Sequence, residues 1–175
     1  MTLLRLKAEH ELAVIEMGAN HPGEIKFLVH IAEPDYGIIT NVGKAHLEGF
    51  GSFEGGIRTK GELYDYLREK EDSTVFIHHD NAYLMDIAHD LNLIPYGSED
   101  SLYVNGHVTG HSPYLTFEWK AGKDGDLHKV QTQLIGEYNF PNALAAVTIG
   151  RFFGVEAGKI DEALAGYTPR NNRSQ

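Results

Sequence analysis

The sequence contains no cysteine among its 175 residues. This absence excludes a disulfide framework, a zinc site built from thiolates and a cysteine nucleophile. Apolar runs that approach the ~18 residues of a membrane span are also absent. The beginning of the chain carries Arg5, Lys7, Glu9 and Glu11 where a signal peptide would have an apolar core. We therefore expect a soluble, unprocessed protein of the cytoplasm, whose reducing environment suits a chain without disulfides.

The sequence has fewer positively charged than negatively charged residues. Lys and Arg together number 15 against 25 Asp and Glu, which gives a formal net charge of -10. A general nucleic-acid binder would instead show clustered Lys and Arg along one face, so nucleic acid is not an expected partner. The length fits one domain with a sizeable core, since domains commonly run to ~100 to 200 residues.

Short apolar runs alternate with helical patterns in the first half of the chain. The runs are typical of strands buried on both faces of a parallel sheet, and they occupy residues 12–18, 36–43, 73–80 and 93–98. This alternation predicts the α/β class, with a mostly parallel sheet flanked by helices. Ligands of such sheets bind at the carboxyl ends of the strands.

Three helices are predicted between and after these runs. The first begins after Asn20 as N-cap and ends before Pro34, and the second covers about residues 53–70. The apolar stripe of the third consists of Leu84, Ile87, Ala88 and Leu91.

Period-two alternation replaces this pattern between about residues 101 and 136. Leu115, Phe117 and Trp119 alternate with polar residues, and "LHKVQTQLIG" returns after a "KDGD" turn as the antiparallel partner. Residues 101–110 add a further antiparallel strand. Two helices then complete the pattern.

Polar side chains follow two of the predicted strands. Glu16 closes the first run, and Thr40, Asn41 and His46 follow the second. Both carboxyl ends lie on one rim of a parallel sheet, so these groups can converge there. Oxygen and nitrogen donors without thiolates suit Mg²⁺ or Mn²⁺. The alternative is a carboxylate that caps a helix beside an ordinary loop histidine.

Lys60 lies on the apolar stripe of the second predicted helix, in line with Ile57, Tyr64 and Leu67. Such a lysine either extends its ammonium to solvent or has a buried function, because an unpaired buried ammonium is costly. Burial lowers the pKa of a lysine, and the neutral amine can react with carbon dioxide to give a carbamate.

Two amides flank Pro141 at a predicted helix start. Asn139 and Asn142 fit helix capping, since Asn is a good N-cap and Pro suits the first turn. The same amides could read a nucleotide base, because each offers a donor and an acceptor.

Four stretches together resemble the central domain of the Mur ligases: "VIEMGANHPGEI", "ITNVGKAHLEGFGS", "RTKGEL" and "GEYNFPNALAAV". The resemblance covers nearly the whole chain and implies the fold of that domain over residues 1–168, with the antiparallel insert at about 101–136 and a linker from 169 to 175. It also implies an ATP-dependent, amide-forming ligase of peptidoglycan synthesis. The substrates implied are UDP-N-acetylmuramoyl-tripeptide and D-Ala-D-Ala, with the full-length enzyme a monomer.

The resemblance also implies roles for individual residues. The magnesium-binding glutamate and histidine of the family match Glu16 and His46, and its carbamylated lysine, which helps to hold a second Mg²⁺, matches Lys60. The asparagines that contact the adenine side of ATP match Asn139 and Asn142. The arginine that contacts the ATP phosphates is assigned to Arg173 rather than Arg170.

The phosphate-binding loop of the family is not encoded in this chain. No G-x-x-x-x-G-K-[ST] occurs, and "GVEAGKI" at residues 154–160 has one spacer too few and Ile in place of the hydroxyl. We therefore expect a fragment of a three-domain ligase that is inactive alone and can self-associate through an exposed sheet edge. Two alternatives remain open: a noncatalytic degenerate nucleotide-binding module, and a metal-dependent hydrolase that uses Glu16, His46 and Glu48.

Overall fold

A computed structural model of the chain describes residues 5–42 and 52–169. They form two units by their internal contacts. The first unit comprises Met1–Val75 and Asp86–Asn92, and the second comprises Phe76–Met85 and Leu93–Gln175. None of the helices in the described ranges has the length and apolar composition that crossing a bilayer requires.

In the residues that the structure describes, the first unit contains two helices and a short strand. They are helix α1 (Glu24–Ala32), strand β1 (Tyr36–Ile38) and helix α2 (Phe53–Arg68), and the beginning of β2 (Thr74–His78) lies beside them. The Thr74 N–H donates to the Asp35 carbonyl at 3.1 Å, next to β1. A Cβ added to Gly37 in β1 would collide with the Leu67 side chain. Helix α2 therefore packs directly on β1, with Tyr64 and Leu67 buried beneath it.

The second unit contains most of the sheet. The end of β2 is followed in spatial order by β3 (Leu93–Gly97), β4 (Val104–Gly110), β5 (Tyr114–Lys120) and β6 (His128–Ile135). Strand β4 is parallel to β3, whereas β5 is antiparallel to both β4 and β6. The helices of this unit are α3 (Ala82–Asp86), α4 (Phe140–Phe152) and α5 (Ala157–Gly166).

Strand β5 provides the core of the antiparallel part. Leu115, Phe117 and Trp119 alternate along it and are each at most 1% exposed. Asp161 of α5 accepts hydrogen bonds from Trp119 Nε1 at 2.8 Å and from His128 Nδ1 at 2.7 Å. The indole also stacks on the His128 ring, with centroids 4.3 Å apart. One carboxylate thus joins α5 to two adjacent strands.

The α/β class and the antiparallel part are confirmed, and so are most of the predicted elements. The predicted strand at residues 12–18 is wrong: this run has no regular structure, and Val14 is 92% exposed. A strand requires hydrogen-bonded neighbours, and none of the described strands pairs with this run. Composition does not distinguish a buried strand from an apolar segment without such a neighbour.

Two other elements are shorter than predicted. Strand β1 ends at Ile38, although the apolar run continues. Helix α3 ends at Asp86, because the carbonyls of Ile87 and His89 accept hydrogen bonds from Arg68 at 2.9 and 3.0 Å. Asp90 then adopts a left-handed φ of 58°. These side-chain and turn interactions replace the helix that the apolar spacing indicated.

Replacing Asp161 should destabilise the second unit. In Asp161→Ala the nearly inaccessible Trp119 N–H loses its acceptor, which costs about 1–3 kcal/mol for an unsatisfied buried donor. Urea unfolding followed by circular dichroism measures the change. Glu162→Ala on the exposed side of α5 is the control, and equal stability of the two variants would contradict the role of Asp161.

Candidate functional site

Lys60 projects from α2 toward the residues that follow β1. Its Nζ donates a hydrogen bond of 2.7 Å to the Asn41 carbonyl oxygen. The side chain is half-buried, and burial lowers the pKa of its amine below the ordinary lysine value. Among the described residues no carboxylate lies within ion-pair distance of this amine. Within the part of the chain that the structure describes, the recorded partner of this amine is the neutral Asn41 carbonyl.

The half-buried position bears on the chemical role of Lys60, which stays a prediction. Burial disfavours the charged form of the amine, and the neutral form is therefore more accessible than for an exposed lysine. The neutral amine is the nucleophilic form. The arrangement is thus compatible with carbamate formation.

Glu16 lies in the first unit, in the stretch before α1 that has no helix or strand. Its side chain is exposed. The beginning of α1 is held by Glu24 and Glu62. Neither the helix-cap interpretation of Glu16 nor its metal-binding role is tested by the described residues, and both stay predictions.

The predicted metal-binding histidine lies outside the described residues. His46 and Glu48 fall in the undescribed stretch 43–51, which follows Asn41 and Val42. Within residues 5–42 and 52–169 no group of three or more His, Asp or Glu side chains is arranged to hold a metal ion. Of the predicted metal-binding residues, the structure thus describes Lys60, which binds the Asn41 carbonyl, and the exposed Glu16, and no contact between these two residues is recorded.

The two predicted nucleotide-binding amides lie in the second unit, at the beginning of α4. Asn139 occupies the N-cap position, but its side chain makes no capping bond and donates instead to the Ile135 carbonyl at 2.9 Å. Asn142 is exposed in the first turn, without a side-chain hydrogen bond to any described residue. The interpretation of these side chains as helix caps is therefore wrong. Asn142 keeps its donor and acceptor available, whereas Asn139 has one donor engaged.

Arg173 and Arg170 both lie outside the described residues. Their assignment to the ATP phosphates stays a prediction.

Sequence analysis missed two groups near Lys60. The Asn41 carbonyl has no side-chain signature. Glu62 was not singled out, although its carboxylate joins α2 to α1. The only local signal was Gly23, which precedes a helix and has no side chain with which to cap it.

Comparison with known proteins identifies the family of the chain. The family model described as the Mur ligase middle domain matches residues 1–150. The chain belongs to the Mur ligase family. The resemblance expected from the four sequence stretches is thereby confirmed.

Individual Mur ligases are similar over most of the chain. The UDP-N-acetylmuramoyl-tripeptide--D-alanyl-D-alanine ligase of Escherichia coli is 34% identical in an alignment of 172 residues that covers 94% of this chain. A crystal structure of MurF from Acinetobacter baumannii superposes with a TM-score of 0.83 at 28% identity and covers 98% of the chain. MurF from Thermotoga maritima, solved in complex with ADP, gives a TM-score of 0.71 at 25% identity over 86% of the chain.

These Mur ligases are considerably longer than the chain. The match covers 37% of the E. coli enzyme, 37% of the A. baumannii structure and 34% of the T. maritima structure. The chain therefore spans about a third of the length of the relatives it matches.

The lowered pKa of Lys60 can be measured directly. Competitive acetylation across a pH series should give Lys60 an apparent pKa below the ~10.4 of an ordinary lysine, because burial penalises its charged form. Its neutral, reactive fraction at a given pH is then larger. Nα-acetyl-lysine in the same solution is the reference, and modified peptides are quantified by mass spectrometry. A Lys60 profile at or above that reference would contradict the effect of burial.

Proposed function

We propose that this Mur ligase chain is the central part of an ATP-dependent ligase that joins D-Ala-D-Ala to UDP-N-acetylmuramoyl-tripeptide. The observation that carries the proposal is Lys60, a half-buried amine with a lowered pKa held on the Asn41 carbonyl. The names of the similar enzymes support the choice of substrates. The reaction belongs to the cytoplasmic assembly of peptidoglycan precursors.

The proposed reaction has two steps. ATP transfers its γ-phosphoryl group to the terminal carboxylate of the tripeptide, which gives an acyl phosphate and ADP. The amine of D-Ala-D-Ala then attacks the acyl carbon, loses a proton and displaces phosphate, and an amide bond is formed. Positioning and electrostatic stabilisation are the main contributions that a protein makes to such phosphoryl transfer.

The donor atoms of the first unit fit a magnesium site. The carboxylate of Glu16, the imidazole of His46 and a carbamate on Lys60 would supply oxygen and nitrogen ligands without thiolates, which suits Mg²⁺. When bound, Mg²⁺ would offset the negative charge on the transferring phosphoryl group. The part of Lys60 in this site is to present a neutral amine that carbon dioxide can convert to a carboxylate-like group.

The nucleotide is proposed to lie against the beginning of α4. Asn139 and Asn142 would contact the adenine side of ATP, and Arg173 would contact its phosphates. The ADP in the T. maritima relative supports a nucleotide in this family. Asn142 is the better placed of the two amides, since its side chain is exposed and has no bond to another described residue.

The whole ligase should be active, whereas the 175-residue chain alone should not. The chain encodes no G-x-x-x-x-G-K-[ST], so the β- and γ-phosphates lack the backbone amides and the lysine that such a loop provides. The test measures phosphate release with the tripeptide nucleotide and D-Ala-D-Ala, for the chain alone and for the chain expressed with the coding sequence that flanks it in its gene.

Each outcome of this comparison has a definite meaning. Release that requires both substrates in the longer protein only supports the proposal. Equal rates in the two proteins would contradict the need for a phosphate loop. Release without D-Ala-D-Ala would favour a metal-dependent hydrolase, and no release from either would favour a noncatalytic module.

Loss of the Asn142 amide should weaken nucleotide binding without affecting the fold. In Asn142→Ala the KM for ATP of the longer protein should rise by about tenfold, which corresponds to about 1.4 kcal/mol, the size of one hydrogen bond. Its free energy of unfolding should not change, because the side chain is exposed. Glu162→Ala is the control on the exposed face of α5, and an unchanged KM in Asn142→Ala would contradict the assignment.

A further inference from the structure

Helix α2 contacts two segments of the first unit through residues two positions apart. Lys60 donates to the Asn41 carbonyl, whereas Glu62 accepts hydrogen bonds from the beginning of α1. Residues two apart on a helix point about 200° away from each other. Glu62 therefore lies on the opposite side of α2 from the proposed metal ligand and cannot replace it.

Glu62 caps α1 from a distant part of the chain. Its Oε1 accepts from the Gly23 N–H at 2.7 Å, and its Oε2 accepts from the Lys26 N–H at 2.8 Å. These are among the N–H groups that a helix start leaves without intrahelical partners. Gly23 has no side chain to satisfy them and has a φ of 88°. The negative charge also suits the positive end of the helix dipole.

The hydrogen-bonded region extends toward Glu16. Within the same helix start, Glu24 Oε2 accepts from the N–H groups of Asn20 and His21 at 2.7 and 3.1 Å. Residues 20–26 are thus fixed onto α2 through Glu62 and Glu24. Glu16 is four residues before Asn20, a distance of at most ~14 Å for an extended chain.

We propose that Glu62 is a positioning residue for the metal-binding side of this ligase. By fixing the beginning of α1 on α2, its carboxylate sets where the Glu16 segment lies relative to Lys60. The identity of the metal ligands in this inference rests on the proposed function. The hydrogen bonds of Glu62 that carry the inference do not depend on it. Glu62 itself contacts neither the substrates nor the reacting atoms.

The chain offers a matched control at the other end of the same helix pair. Lys70, just after α2, donates to the carbonyls of Glu33 and Pro34 at 3.0 and 3.2 Å and pairs with Asp35 at 2.8 Å. It therefore caps the end of α1 as Glu62 caps the beginning. Lys70→Ala should destabilise the helix pair without affecting the segment that carries Glu16.

The first test measures position without any metal. Spin labels are attached to Gly18→Cys and Arg58→Cys in the cysteine-free chain, both exposed sites close to Glu16 and Lys60. A Cβ at Gly18 meets no atom within 4 Å. Glu62→Ala should broaden the distance distribution between the labels, whereas Lys70→Ala should not. Glu62→Gln keeps one acceptor oxygen and should give an intermediate width, which also guards against a variant that does not fold.

The second test measures Mn²⁺ affinity by titration calorimetry in the chain expressed with its flanking coding sequence. Glu62→Ala should weaken binding by about tenfold, the lower end of what supporting residues of metal ligands contribute. Lys70→Ala should leave the affinity unchanged, and Glu62→Gln should recover part of it. A general loss of stability would instead affect both alanine variants alike.

The outcomes separate this inference from the proposed function. Unchanged label distances in Glu62→Ala, or broadened distances with unchanged Mn²⁺ affinity, would overturn the positioning role. If the unsubstituted protein binds no Mn²⁺, the proposed metal site fails. The label distances then still decide whether Glu62 fixes the Glu16 segment on α2.

Discussion

Helix α1 exists in this form because both of its ends are capped by residues from α2 and the turn after it. A helix of nine residues is only marginally stable by itself, and most of its stability must come from tertiary contacts. Glu62 satisfies N–H groups at its beginning, and Lys70 binds carbonyl groups just past its end. Val29 of α1 and Tyr64 of α2 are both fully buried. The hydrogen bonds of Glu62 thereby join residues 23 and 26 of the chain to α2.

The negative charge of the chain limits how the proposed substrates could bind to it. ATP and a UDP-linked tripeptide are polyanions, and a formal net charge of -10 gives this chain a repulsive long-range field toward them. Binding of such substrates has to come from local groups, such as metal ions, backbone N–H groups and individual arginines. Burial lowers the pKa of the half-buried Lys60, so its charged form is less favoured than that of an exposed lysine. In the proposed site its contribution is instead a group that recruits a cation.

Sequence periodicity predicted those elements whose burial alternates with a regular period. The alternation of Leu115, Phe117 and Trp119 gave β5 correctly, and the stripe through Tyr64 and Leu67 gave α2. Periodicity failed at residues 12–18, where the apolar run has no strand partner among the described residues. It also failed at α3, where Arg68 binds the carbonyls that a longer helix would use. These outcomes depend on contacts between distant residues, which a local pattern does not contain.

The candidate site, like the fold, was predictable from the sequence only where a local pattern carries the signal. Lys60 could be singled out because a lysine on an apolar stripe is exceptional, and the structure shows a half-buried amine there. The capping interpretation of Asn139 followed from sound local preferences, yet its amide binds the Ile135 carbonyl. The long-range bonds of Glu62 to residues 36 and 39 positions earlier had no sequence signal. Motif resemblance supplied the roles that physical patterns alone left open.

The contact between Trp119, His128 and Asp161 also places an intrinsic fluorescent probe in the second unit. Trp119 is the only tryptophan of the chain, and it is almost completely shielded from water. Its emission therefore reports on a single place, where α5 meets β5 and β6, and its stacked imidazole neighbour makes that signal sensitive to the docking of α5. The same emission contains no direct contribution from the first unit. Fluorescence and circular dichroism would thus follow different parts of this chain, and coincident transitions in the two would show that both units unfold together.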